Sequence, residues 1–144
     1  MPVRDDVLVL FESLATPTLA NALDDIGFDG VMSGIGQVVP GTRCYGRAVT
    51  IMQATAPRGS FTSEDFKVGH MIDAASAGDV LVVDNSGHAV STWGGLATFA
   101  AKVKRLGGIV VDGGVRDREE MEQHQLPVFT RHMTPLTVLA KCCK

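Results

Sequence analysis

Apolar positions recur along this chain with two different periods. Near the start, Val7, Leu8, Leu10, Phe11 and Leu14 make a helical stripe. Asp5 or Asp6 can cap that helix, which runs to about Ala15. A second helix is punctuated by Thr16 as N-cap, Pro17 at the first helical position and Gly27 as the stop. Phe28 to Pro40 reads as a glycine-dotted loop. Beyond it the apolar runs shorten. Arg47 to Gln53 predicts a strand, Ser63 to Ala75 a helix led by Glu64 and Asp65, and Asp79 to Asp84 a strand apolar enough to be covered on both faces. Ser91 or Thr92 opens a helix through Arg105. Its apolar side is Leu96, Phe99, Ala100, Val103 and Leu106, with Lys102, Lys104 and Arg105 mostly elsewhere. Ile109, Val110 and Val111 make Gly108 to Asp112 a buried strand, and Asp112-Gly113-Gly114 reads as a sharp turn. A short helix begins at Asp117, and Pro127 to Thr130 is the last strand. Strands alternating with helices predict an α/β domain containing a parallel sheet.

Composition adds bounds. A chain of 144 residues reads as one domain, residues 1–144, long enough to bury roughly 70% of its unfolded surface. The net charge of −3 and scattered basic residues argue against a partner held by phosphate neutralisation, so no direct nucleic-acid contact is expected. No apolar run approaches a membrane span, and the first residues lack a signal-peptide core, so no membrane partner is expected. Cys44 stands alone and Cys142-Cys143 are adjacent, a spacing that would strain a disulfide. A reducing cytoplasm is the expected location.

Three pieces of the pattern carry candidate chemistry. Gly94-Gly95-Leu96-Ala97 lies at the start of a helix after a strand, where unpaired N–H groups and a partial positive charge can receive a carboxylate. The same glycines would also serve close helix packing. Arg116 follows the glycine turn; its planar guanidinium can grip a carboxylate at two points, or pair with Glu119 or Glu120 on the surface. Asp117 can face a hard cation such as Mg²⁺ or Mn²⁺, which keeps several waters. It can equally be an N-cap, because Asp117 and Glu120 have capping-box spacing. Asp84 reads as a turn former. Ser86-Gly87-His88-Ala89-Val90 is close to the Ser-His-Ala-Val of phosphohistidine carriers, and His70, His124 and His132 lack metal-ligand spacing.

Gly78-Asp79-Val80-Leu81-Val82-Val83-Asp84, Trp93-Gly94-Gly95-Leu96-Ala97 and Val110-Val111-Asp112-Gly113-Gly114-Val115-Arg116-Asp117 resemble the RraA-like family. So do Leu126-Pro127-Val128-Phe129 running to Thr134-Pro135, the Thr16–Leu23 segment and Gly46 to Thr50. That family holds the regulator of ribonuclease activity A and class II 4-hydroxy-4-methyl-2-oxoglutarate aldolases, which also decarboxylate oxaloacetate. The resemblance implies a swivelling β/β/α sandwich assembled as a trimer or hexamer with sites between subunits. It implies that Gly94, Gly95, Leu96, Ala97 and Arg116 bind a small 2-oxo acid, that Arg116 is catalytic, and that Asp117 holds Mg²⁺ or Mn²⁺. The alternative it implies is a non-catalytic regulator with a ribonuclease as partner. Two departures stand out. Where active aldolases commonly carry an acid in the helix-start loop, this chain has Gly95. Family members also continue past the Thr-Pro turn, so this chain reads as C-terminally shortened.

Overall fold

A computed structural model of the chain describes residues 5–54, 60, 62 and 68–136. The chain divides into two units, residues 1–34 and 35–144.

The first unit holds α1 (Asp5–Ser13) and α2 (Thr16–Asp25). Leu8, Phe11 and Leu14 are half-buried, whereas Val7 and Leu10 are exposed, so the expected stripe is narrower than its apolar residues. The cap of α2 is Ala15, not Thr16, because the N–H groups of Thr18 and Leu19 both close on the Ala15 carbonyl (3.0 and 3.2 Å). The stop is as expected. Gly27 turns with φ +72°, the Gly27 N–H donates to the Asp24 carbonyl and the Phe28 N–H to the Leu23 carbonyl, both at 2.9 Å.

The second unit is built on one six-stranded sheet. Its strands are β1 (Gly36–Gln37), β2 (Ala48–Met52), β3 (Val80–Asp84), β4 (Ser91–Trp93), β5 (Gly108–Val115) and β6 (Val128–Met133). The order is β1-β6-β5-β3-β2, with β4 beside the far half of β5. β2, β3, β5 and β6 run parallel, and β1 is antiparallel to β6. The helices between them are α3 (Val68–Asp73), α4 (Gly95–Lys104) and α5 (Arg118–His124). Because neighbouring parallel strands follow chain order, right-handed crossovers put all three helices on the same face. The core has that composition: Met71 and Ile72 of α3, Ala97 and Ala101 of α4 and Met121 of α5 cluster with Leu81, Val83, Ile109, Val111 and Val128. The fold is therefore the mixed α/β architecture expected.

Several elements differ from expectation. β1 lies inside the stretch read as loop; two residues paired with Thr130 and Phe129 leave no periodicity to detect. Of the helix expected over 63–75, α3 supplies 68–73, and 63–67 lie outside the described residues. Ser91 and Thr92 do not open a helix. They form β4 with Trp93, and the helix starts at Gly95. The Ser91 hydroxyl donates to the Trp93 carbonyl (2.9 Å) and caps nothing.

The expected apolar side of α4 splits: Ala100 packs against the core and Leu106, just past the helix, is buried, but the rest of it faces out. Leu96, Phe99 and Val103 are 80%, 54% and 67% exposed, while Ala97, Thr98 and Ala101 face the sheet. Small side chains let this helix lie close to the strands, which leaves the bulky stripe pointing out.

Nor is Asp112-Gly113-Gly114 a turn, because β5 continues to Val115. At this point β5 changes neighbours, pairing with β3 through Asp112 and with β4 at Gly114 and Val115. A Cβ on Gly113 would stand 2.8 Å from Asn85 Cβ, and one on Gly114 2.9 Å from the Val90 carbonyl. The glycines serve close approach of backbone, not reversal of the chain.

Candidate active site

The end of β5 and the start of α4 are joined by hydrogen bonds centred on Trp93, which is 1% exposed. Its indole N–H donates to Thr98 Oγ1 (3.1 Å), and the Thr98 hydroxyl and N–H donate to the Gly94 carbonyl (2.9 and 3.0 Å). From the other side the Arg116 N–H donates to the Trp93 carbonyl (3.0 Å). A buried, fully partnered network of this kind holds its members in one arrangement. The backbone at residues 93–94 and 116 is thereby fixed from both sides.

The candidate residues meet there. Asp117 adopts a left-handed conformation (φ 59°, ψ 53°), which aspartate tolerates better than most residues. It occupies the N-cap position of α5 but its side chain caps nothing there. Instead Oδ2 accepts the Gly95 N–H (2.9 Å), so the carboxylate caps α4, a helix distant in sequence. This corrects the capping-box reading: the left-handed backbone turns the side chain away from its own helix. Arg116 Nε lies 3.4 Å from the same Oδ2, so Arg116 pairs with Asp117 rather than with Glu119 or Glu120. A Cβ on Gly94 would come within 2.6 Å of Asp117 Oδ2 and 3.2 Å of Arg116 Nε, so glycine is what admits both side chains.

The first turn of α4 is partly used. Gly95 donates to Asp117 and Thr98 to Gly94, which leaves the N–H groups of Leu96 and Ala97 as the open donors. The Leu96 side chain points outward, and that of Ala97 is buried in the core. Both ion-pair side chains stay partly open to solvent, Arg116 at 41% and Asp117 at 35%. The structure therefore brings Gly94, Gly95, Arg116 and Asp117 together, with the backbone of Leu96 and Ala97 adjoining.

Any metal ion at this corner would be held by few protein groups. Both described contacts of Asp117 use Oδ2, and among the described residues no group of three or more His, Cys, Asp or Glu could hold an ion. A cation bound through Asp117 must keep waters or take ligands from substrate, as Mg²⁺ and Mn²⁺ do.

Other candidates resolve differently. Asp84 Oδ1 accepts the Ser86 N–H (2.7 Å), the expected turn. The Lys104 ammonium donates to the Ile72 carbonyl (2.7 Å) near the end of α3. His124 packs against Phe99, and His132 Nε2 lies 3.0 Å from the Gly87 carbonyl. The sequence reading misses Thr98, which fixes the loop, and takes Glu120 only as a pairing or capping residue, whereas it abuts Gly95.

Comparison with known proteins places this geometry in context. The RraA-like family model, described as Aldolase/RraA, matches residues 16–141. Protein DlpA of Legionella pneumophila is 33% identical over 112 residues, covering 77% of this chain and 18% of its own length. A protein of Halalkalibacterium halodurans named "Putative 4-hydroxy-4-methyl-2-oxoglutarate aldolase" is 28% identical over 130 residues, covering 90% of this chain and 58% of its own. The chain thus spans less than two thirds of either relative. Among solved structures, an uncharacterized protein from Pseudomonas syringae pv. tomato matches with a TM-score of 0.85 and 32% identity, over 98% of this chain and 62% of that one. No helix among the described residues is long and apolar enough to cross a membrane.

Proposed function

This chain belongs to the RraA-like family, and from that premise we propose that it is a divalent-metal-dependent lyase releasing pyruvate from small 2-oxo acids. The reaction is aldol cleavage of a 4-hydroxy-4-methyl-2-oxoglutarate-like substrate, decarboxylation of oxaloacetate, or both. One observation carries the reading: Arg116, Asp117 and the first amides of α4 converge on a single partly open corner. An anchor for a carboxylate, a cation for a keto oxygen and a ligand for a metal are what this chemistry needs in one place.

In this reading the substrate's 1-carboxylate lies against the Leu96 and Ala97 N–H groups at the positive end of α4. Arg116 binds the neighbouring keto group through its outer nitrogens, since Nε faces Asp117. Breaking the bond beyond C3 leaves the enolate of pyruvate, and the fixed guanidinium is placed to balance its growing charge. Asp117 would hold the Mg²⁺ or Mn²⁺. When bound, that ion supplies Lewis-acid withdrawal of charge from the keto oxygen. Gly94 keeps the corner open and Trp93 keeps it still.

The test is pyruvate release, coupled to lactate dehydrogenase, across a panel of 2-oxo acids with Mg²⁺ and with EDTA. Turnover above the metal-only background, abolished by EDTA, is expected; rates equal to background for every acid overturn the lyase.

A second reading is favoured by the exposed Leu96, Phe99 and Val103 stripe, because contiguous apolar surface marks association sites. The family includes ribonuclease regulators as well as aldolases. On this reading the protein is a non-catalytic binder of a ribonuclease. In the lyase reading the same face joins copies into a trimer or hexamer. Sedimentation of the pure protein, with and without a ribonuclease, separates the two.

A further inference from the structure

We propose, resting on the lyase reading above, that Glu120 is the group that carries the proton during carbon–carbon cleavage. A Cβ built on Gly95 would stand 3.1 Å from Glu120 Cγ, 3.2 Å from its carboxyl carbon and 3.3 Å from its Cβ. The space into which a side chain at position 95 would project is thus already filled, by a carboxyl-bearing side chain from α5. Gly95 lies between two acids: its N–H holds Asp117, and its Cα faces Glu120.

The two acids differ in commitment. Asp117 is engaged by the Gly95 amide and by Arg116. Glu120 is exposed and has no hydrogen bond or ion pair among the described residues, so its carboxyl is not committed to another group. Its neighbours Arg118 and Glu122 are occupied with each other at 2.7 Å.

The proton balance closes on this one group. The Glu120 carboxylate takes the proton of the substrate's 4-hydroxyl. The C3–C4 bond breaks, C4 departs as a carbonyl, and the electron pair becomes the enolate of pyruvate beside Arg116. The Glu120 carboxylic acid then returns the same proton to C3, giving pyruvate and restoring the carboxylate. In decarboxylation only the second transfer is required, with the proton drawn from water through Glu120.

Exchange of pyruvate methyl hydrogens for deuterium isolates this transfer, because it forms and reprotonates the enolate without cleaving a bond between carbons. The intact protein with Mg²⁺ in D₂O should exchange, followed by NMR. Glu120→Gln should slow exchange about 10²-fold or more, the scale of general acid–base assistance, while calorimetry shows pyruvate affinity within a few-fold. Glu120→Ala with Gly95→Asp should exchange faster than Glu120→Ala alone, because the second change restores a carboxyl in the vacated space. Exchange at the normal rate by Glu120→Gln overturns the assignment and leaves the lyase standing; a double variant no faster than Glu120→Ala does the same. Failure of the unaltered protein to bind pyruvate or to exchange removes the lyase reading and Glu120 with it.

Discussion

The two halves of β5 are made from different materials. From Gly108 to Asp112 the strand lies between β3 and β6, and Ile109 and Val111 are fully buried in the core. From Gly113 to Val115 it has lost β3 and taken β4, and two of its three residues have no side chain. The first half contributes apolar burial, at about 25 cal/mol per Å² removed from water. The second half contributes position, since absent side chains let Asn85 and Val90 approach and deliver Arg116 and Asp117 to the start of α4. Stability and placement have been assigned to consecutive stretches of one strand.

Substitutions can break that division, beginning with the largest effect. Ile109→Ala should cost about 2–5 kcal/mol of stability by opening a cavity, measured by urea denaturation; a loss below half a kilocalorie would show that this half is not the foundation. Arg116→Ala should lower the rate of pyruvate release about 10²–10³-fold, equal to roughly 2.7–4 kcal/mol. Its unfolding midpoint should barely move, as usual for surface changes. An Arg116→Ala protein with full turnover would exclude Arg116 from the chemistry.

Gly113→Ala should fall between the two classes, costing about 1–3 kcal/mol through overpacking against Asn85 and also slowing turnover. A stable, fully active Gly113→Ala protein would erase the distinction between the halves. Asp117→Asn keeps an oxygen for the Gly95 N–H and tolerates the left-handed backbone. It should cost about 0.3–1 kcal/mol at low ionic strength by removing charge from the end of α4, with stimulation by Mg²⁺ lost. Persistent stimulation would place the ion elsewhere.

The effect that vanishes near neutral pH lies toward the opposite end of the strand, where Cys44 packs against Gly108. Burial pushes the Cys44 thiol up to about 11 from an ordinary 9.0. The unfolded chain therefore releases this proton first. The contribution is complete below pH 9 and is lost as pH rises through about 11. Cys44→Ala should flatten the fall of stability across that window, and parallel pH profiles for the two proteins would refute the assignment.

The buried half of β5 was legible because Ile109, Val110 and Val111 carry their burial in their chemistry. The glycine half was misread because glycine supports both a turn and close packing, and only the partner, here Asn85 and Val90, decides between them. The outward-facing bulky stripe of α4 has a similar origin. Leu96, Phe99 and Val103 have helical spacing, but spacing cannot say which side meets the sheet, and Thr98 settles it by accepting the Trp93 indole. The family resemblance and the meeting of Arg116, Asp117 and Gly94 could be read from motif order. The destination of the Asp117 carboxylate could not, because it crosses from α5 to α4 between residues 22 apart in sequence.

Trp93 is the one tryptophan of the chain, and it is both buried and wired into the corner where substrate is proposed to enter. Its indole is consequently a built-in optical gauge. Any ligand that draws Gly94 or Arg116 aside changes the surroundings of the single indole. Titration by intrinsic emission, excited at the red edge where Tyr45 does not absorb, can thus follow occupancy of this corner directly with no label attached.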